Sequence, residues 1–165
     1  MTKEQFIEMI TREQESLRRF LRGLCSGDGF RADDIAQEAL LKAYLSFERY
    51  EGRSRFSTWL FRIAFNCWYD SQKAVGKASE WLSLDEGPPG AMDLQESDVD
   101  VRHEYLQLYI AIGSLSLQEQ TVILLFYMEE KSIKEIEIIT GMPSGTIRSH
   151  LSRGRRHLKE YLETL

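Results

Sequence analysis

The side chains best placed to do chemistry lie near the C-terminus, in Gly145-Thr146-Ile147-Arg148-Ser149-His150-Leu151-Ser152-Arg153-Gly154-Arg155-Arg156-His157. On a helix, Ile147 and Leu151 share one face at i,i+4, which leaves Arg148, Ser149, Ser152 and Arg153 facing outward. A guanidinium can donate two hydrogen bonds to guanine O6 and N7, and a serine hydroxyl is a more tolerant partner for a base edge. The chemistry is recognition of nucleic acid, with the remaining basic residues on phosphates. Neutralising about five phosphates would give a log–log salt slope of about −4.5.

A second cluster lies in Phe56-Ser57-Thr58-Trp59-Leu60-Phe61-Arg62-Ile63-Ala64-Phe65-Asn66. Trp59, Leu60, Ile63, Ala64 and Cys67 can face a core. Phe61, Phe65, Trp68 and Tyr69 cannot all join them on a helix this short. Exposed aromatics beside Arg62 and Asn66 suit single-stranded nucleic acid, where stacking contributes roughly 1–3 kcal/mol per base. An aromatic core with a solvated Arg62 fits the same composition.

Bond-making chemistry finds no candidates. His150 and His157 have no acid or nucleophile at a suggestive spacing and read as surface or phosphate-contact residues. No Gly-rich phosphate loop is present, and no Cys or His cluster has metal-ligand spacing. No cofactor, no metal and no enzymatic activity are expected.

The elements that must hold these side chains are helices. Ser132 to Ile139 makes a short helix, opened by the capping-box pair Ser132 and Glu135. Thr140-Gly141-Met142 makes a turn in which Gly141 can take positive φ. Pro143 stops continuation, Ser144 can cap, and the basic helix follows. This is a helix-turn-helix whose second helix can enter a major groove. Ser116 and Glu119 form the same capping pattern before Val122 to Phe126.

Upstream, helical spacing links Phe6, Ile10, Leu17, Phe20, Leu21 and Leu24. Cys25-Ser26-Gly27-Asp28-Gly29 breaks it. The next helix is expected from about Asp33 to Phe47, then a loop at Tyr50-Glu51-Gly52-Arg53-Ser54, then a helix from near Ser57 that fades after Asp70. Ile35, Ala39, Leu40, Ala43, Tyr44 and Phe47 form a core stripe on the first of these. Asp34, Gln37, Glu38, Leu41 and Leu45 form a second, mixed stripe, which is either a partner surface or a widened core face.

Of the 165 residues, 42% are hydrophobic, which argues for folded structure, and no apolar run reaches 18. The N-terminus lacks the apolar core of a signal peptide. Cys25 and Cys67 are isolated, as in a reducing compartment, so the cytoplasm is expected. The net charge of −5 argues against nucleic acid until its distribution is read. From Pro143 to Lys159 there are basic residues and no acid, and from Glu80 to Asp100 acids and no base. The expected fold is all-α, with two small helical domains, residues 1–75 and 101–165, joined by a flexible acidic linker over 76–100.

These blocks together resemble the bacterial alternative sigma factors of the extracytoplasmic-function (ECF) class, within the sigma-70 family. The resemblance covers nearly the whole chain. It rests on Asp34-Ile35-Ala36-Gln37-Glu38 to Lys42-Ala43-Tyr44, on Gly52 to Asn66, and on Gly145-Thr146-Ile147-Arg148-Ser149. It implies that Asp34, Gln37, Glu38, Leu41 and Lys42 dock on the clamp coiled coil of RNA polymerase core. It implies that the Tyr50–Ser54 loop, Gly52 included, captures a base flipped from the minus-ten element, beside a melting helix bearing Phe56, Trp59, Arg62 and Asn66. Ser144, Thr146, Arg148, Ser149, Ser152, Arg153, Arg155 and Arg156 match the reader of the minus-thirty-five element. An anti-sigma factor as partner and a monomer when free are further implications.

Some positions depart from the family pattern. Ser116 stands where Pro is usual, Glu137 where a small Ala packs, Phe65 where a polar or basic residue is common, and His150 where Arg is common. A stand-alone helix-turn-helix regulator is the competing function. It would dimerise, read half-sites one helical turn apart and use the N-terminal blocks for an effector or for pairing.

Overall fold

The structure is a computed structural model that describes residues 1–74 and 103–164. The expected acidic linker lies outside the described residues. Every regular element among the described residues is helical.

Helix α1 spans Lys3–Leu24, and Thr2 and Gln5 close a capping box at its start. It ends where Ser26 and Gly27 turn left-handed (φ 54° and 84°), and Gly27 N–H returns to Arg22 O at 2.9 Å. The orphan carbonyls of the last turn are thereby satisfied. Asp28 caps α2 through Arg31 N–H, so this helix spans Gly29–Ser46 and begins four residues earlier than the apolar pattern suggests. A short 3-10 turn, Phe47–Arg49, leads to the Tyr50–Arg55 loop, and α3 spans Phe56–Ala74.

In the C-terminal half, α4 spans His103–Gly113 and α5 spans Leu117–Ile123. A π-helical stretch, Leu124–Met128, continues α5. Helix α6 spans Ile133–Thr140 and α7 spans Ser144–Glu163. Ser132 and Glu135 close their full capping box. At Ser116 the hydroxyl accepts from Glu119 N–H, while the Glu119 carboxylate turns to His157 instead.

Helices α1 and α2 pack together and against α3, and α7 packs on α5, α6 and α4. The α5–α7 approach is close: a Cβ added at Gly154 would lie 3.0 Å from Ile123 Cγ1. The two halves also meet. Helix α6 lies against α3, the π-helical stretch lies against α1, and one contiguous apolar cluster runs from Phe6 to Leu151 through both. At this seam a Cβ on Gly23 would lie 2.8 Å from Leu124 Cδ1.

Candidate nucleic-acid interface

The turn before α7 is built by one hydroxyl and one glycine. Thr140 Oγ1 donates to Ile136 O at 2.8 Å and accepts from Met142 N–H at 3.2 Å. Gly141 takes φ 78°, which a side chain would strain. Pro143 occupies the N-cap position of α7 and gives no side-chain cap, so Ser144 is the first helical residue and not the cap that the sequence suggested.

Ile147, Leu151 and Gly154 bury one face of α7. Arg148, Ser149, Ser152, Arg155 and Arg156 are exposed on the other, and Ser144, Thr146 and Arg153 are half-buried at its edges. Arg155 Nη1 donates to the Tyr127 hydroxyl at 2.9 Å, which holds that cation beside the helix instead of leaving it free to sweep. Arg153 reaches toward His150 Nδ1 at 3.4 Å.

Of the two histidines, His150 is not the surface residue expected, whereas His157 keeps a side chain that is 42% exposed. His150 is 2% exposed and packs under the helix, where burial above all, with Arg153 adding to it, pulls its pKa below the ordinary value. His157 Nδ1 lies 2.6 Å from Glu119 Oε1, and Glu119 is itself 4% exposed. The pair ties α7 to α5, away from the exposed Arg148 and Ser152.

The loop before α3 is closed by the Tyr50 hydroxyl donating to Ser54 O, with Gly52 left-handed at its tip (φ 75°). Tyr50 lies tilted against Trp59 (centroids 5.3 Å) and edge-on to Phe56 (5.8 Å). Gly52 is exposed, while Tyr50, Ser54 and Trp59 are half-buried. Phe56, expected to face DNA, is 5% exposed and props the loop from beneath, because it also meets Phe6 from α1. Arg62 and Asn66 are exposed one turn apart on α3.

The larger correction concerns the remaining aromatics of α3. Phe61, Phe65 and Trp68 are all buried, and Tyr69 is half-buried. They find room because α3 is covered on more than one side: Phe20 of α1 meets Phe61 at 5.3 Å, and α6 lies against α3 with the Lys131 ammonium 4.6 Å over the Phe61 ring. Polar contacts fasten the same seam. Thr58 Oγ1 donates to Glu135 Oε2 at 2.9 Å, and Arg19 grips Glu129 through Nε at 2.9 Å and Nη2 at 3.0 Å. Burial pushes the Glu129 carboxyl above its usual range despite Arg19. Burial also pushes Glu135 upward, but hydrogen bonds from Thr58 and Ser132 outweigh it and hold that carboxyl low. No periodicity in the sequence signals the Thr58–Glu135 and Arg19–Glu129 contacts, since each joins residues far apart in the chain.

On α2 the second stripe stays open. Leu41 is 58% and Leu45 73% exposed, and Asp34, Gln37, Glu38 and Lys42 are exposed with them. Lys42 pairs with Glu38 at 3.1 Å. Ile35, Ala39 and Ala43 face the core, with Ala36 added and Tyr44 largely outside it. Cys25 and Cys67 are buried thiols, and burial pushes Cys25 up to about 12.

The comparisons with known proteins follow the same division. The family models for Sigma-70 region 2 and for Sigma-70, region 4 match residues 9–77 and 105–158. The ECF RNA polymerase sigma factor SigW of Bacillus subtilis (strain 168) is 33% identical over 152 residues, covering 84% of this chain and 79% of that protein. The ECF RNA polymerase sigma-E factor of Escherichia coli (strain K12) is 27% identical over 173 residues, covering 99% and 89%. Among solved structures, the sigma factor RpoE in complex with the anti-sigma factor NepR from Bartonella quintana matches with a TM-score of 0.75 at 25% identity, over 97% of this chain and 98% of that one. CnrH in complex with the cytosolic domain of CnrY matches with a TM-score of 0.73 at 18% identity, over 99% and 90%, a likeness of fold alone. With both sigma regions in order along a single chain, this protein belongs to the ECF RNA polymerase sigma factors.

Proposed function

We propose that this chain binds RNA polymerase core through α2 and directs initiation at promoters whose minus-thirty-five element is read by α7 and whose minus-ten element is opened at the Tyr50–Ser54 loop and α3. The observation that carries the reading is that two unlike surfaces stay open in one chain: the Leu41–Leu45 stripe and the basic face of α7. The region 2 match over residues 9–77 gives the N-terminal half a role that a stand-alone regulator would not need.

Each surface has its own chemistry. Arg148, Ser149 and Ser152 reach base edges from the first turns of α7, and Arg153, Arg155 and Arg156 hold phosphates. Flipping a base costs a few kcal/mol of stacking. The loop held by Tyr50 and Ser54 would receive that base, while Trp59, Arg62 and Asn66 hold its neighbours and Phe56 supports the floor. None of these steps makes or breaks a covalent bond, so the chain acts as a specificity subunit and not as an enzyme. Its domains are taken as residues 1–75 and 101–165, and its setting as the cytoplasm. It is taken to be a monomer when free, with an anti-sigma factor as a further partner.

The arrangement of the halves sets a requirement. Promoter elements at minus ten and minus thirty-five are about 85 Å apart along B-form DNA at about 3.4 Å per base pair. Helix α3 is 19 residues long, about 28 Å. With Thr58 on Glu135, its DNA face lies within about 40 Å of the start of α7. The seam between α3 and α6 must therefore open before both elements are read together. Residues 75–102 are long enough to reach at most about 100 Å when extended, which is sufficient.

The test is run-off transcription with bacterial core polymerase on a genomic promoter pool, with and without the protein, alongside a sizing column. Promoter-specific transcripts and co-migration with core are expected. A well-folded protein that gives neither overturns the proposal.

A further inference from the structure

Phe30 is the most exposed large apolar side chain among the described residues, at 75%. It sits in the first turn of α2, just past the Asp28 cap. Its neighbour Arg31 turns inward, with Nη2 donating to Ser71 on α3 at 3.2 Å, while Phe30 stays in solvent. At about 100° per residue, Asp34, Gln37, Glu38, Leu41 and Leu45 occupy one arc of roughly 100°, and Phe30 falls inside it. The stripe then runs about 22 Å along the helix, from Phe30 to Leu45. Its two ends are the two most exposed apolar groups in the described chain, at 75% and 73%, with carboxylates and an amide between them. Isolated exposed apolar side chains are ordinary, but three on one arc of a single helix, Phe30, Leu41 and Leu45, interspersed with polar groups, match the spaced anchors by which an amphipathic helix docks on a partner.

We propose that Phe30 is an anchor for RNA polymerase core, extending the core-docking face of α2 by one helical turn beyond the residues that the family motif marks. The proposal rests on the α2 docking reading above. Continuity with that face commits the occupant: the same helical surface on polymerase that receives Leu41 and Leu45, offering an apolar contact at the N-terminal end of α2 and donors opposite Asp34 and Glu38.

The experiment measures affinity of the full chain for core polymerase, with Phe30→Ala, Phe30→Leu and Leu41→Ala beside the parent. Phe30→Ala is expected to weaken core binding about tenfold, with a nearly unchanged melting temperature because three quarters of the residue is already in solvent. Phe30→Leu is expected to recover most of the loss. Leu41→Ala reports on the docking face itself. If Leu41→Ala weakens binding and Phe30→Ala does not, Phe30 is no anchor while the docking face stands. If the parent binds core and neither variant weakens it, the docking reading fails and takes this proposal with it. If Phe30→Ala converts a dimer to a monomer on a sizing column at constant core affinity, the anchor serves a second copy of the chain and the proposal is overturned.

Discussion

Helices α3 and α7 are nearly equal in length, at 19 and 20 residues, and both carry an arginine-bearing outer face. They differ in how much of that outside remains. On α7 one narrow face is buried and a continuous basic face is open. On α3 Phe61, Phe65 and Trp68 are buried, α6 lies against the helix, and the open strip narrows to residues such as Arg62 and Asn66. Aromatic rings, cations and hydroxyls suit a nucleic acid, and they equally suit an intramolecular partner. On the proposed reading the chain keeps them for DNA on α7, while on α3 several of them pack against its own second half.

The sharpest way to break this comparison is to substitute adjacent residues on α3. Phe61→Ala removes a fully buried ring between Phe20 and Lys131 and should cost about 3–5 kcal/mol, read as a lower urea midpoint. Arg62→Ala removes an exposed side chain and should change stability by less than about 0.5 kcal/mol, while slowing promoter opening. Equal stability losses would mean that α3 is not divided into a covered and an open face.

On α7 the corresponding contrast lies within the basic face. Arg148→Ala should cost about 1–3 kcal/mol on duplexes carrying the preferred minus-thirty-five sequence, and little more than one phosphate contact on scrambled duplexes. Arg156→Ala should weaken both alike and make the salt slope shallower by about 1. If Arg148→Ala lowers affinity for both sequences equally, that arginine contacts phosphate and not a base.

These differences explain which parts of the fold could be read from residues alone. The helices, the Gly141 turn and the burial of Ile147 and Leu151 follow from local spacing and capping, and all are present. The start of α2 is hidden from the apolar pattern, which begins later than the cap; Asp28, three residues before Arg31, is the signal that marks it. The second stripe of α2 was legible as a pattern but ambiguous in meaning until Leu41 and Leu45 proved exposed. The burial of Phe56 and His150 is not legible in the sequence, because polar or aromatic character on a helix face does not reveal what packs over it. Both departures from the family pattern at Phe65 and His150 are buried, which gives these positions a packing role. Pairings such as Thr58 with Glu135 join residues far apart in the chain, and no local rule anticipates them.

The seam offers an asymmetric test. The Glu129 side chain is 2% exposed, whereas Arg19 is 42% exposed. Arg19→Ala strands a buried carboxylate and should destabilise the closed arrangement by about 1–3 kcal/mol. Glu129→Ala leaves a guanidinium that can turn to water, so its loss should be under about 1 kcal/mol. Urea midpoints rank the two, and a larger radius of gyration by X-ray scattering reports opening. Equal losses would show that Glu129 is reached by water when Arg19 is gone.

The smallest effect expected is a pH dependence lodged beneath α7. His150 is buried near Arg153 and Glu119, and burial lowers its pKa from the ordinary 6.5. Between that value and the lower folded one, the unfolded chain binds more protons than the native chain, so stability falls as the pH drops through this window. Above about 6.5 both forms are neutral and this loss is absent. Glu129, whose carboxyl is raised by burial, acts with the opposite sign: between the ordinary carboxylate value and the raised folded one its folded form holds a proton that its unfolded form has released, so stability rises as the pH falls there, equally in the parent and in a His150 variant. Comparing urea midpoints at pH 7.5 and pH 5.5 isolates the histidine. The parent should lose more than His150→Gln, since His157 and its Glu119 partner are common to both chains. A parent that loses no more than the variant would mean that the imidazole accepts its proton without disturbing the seat of α7.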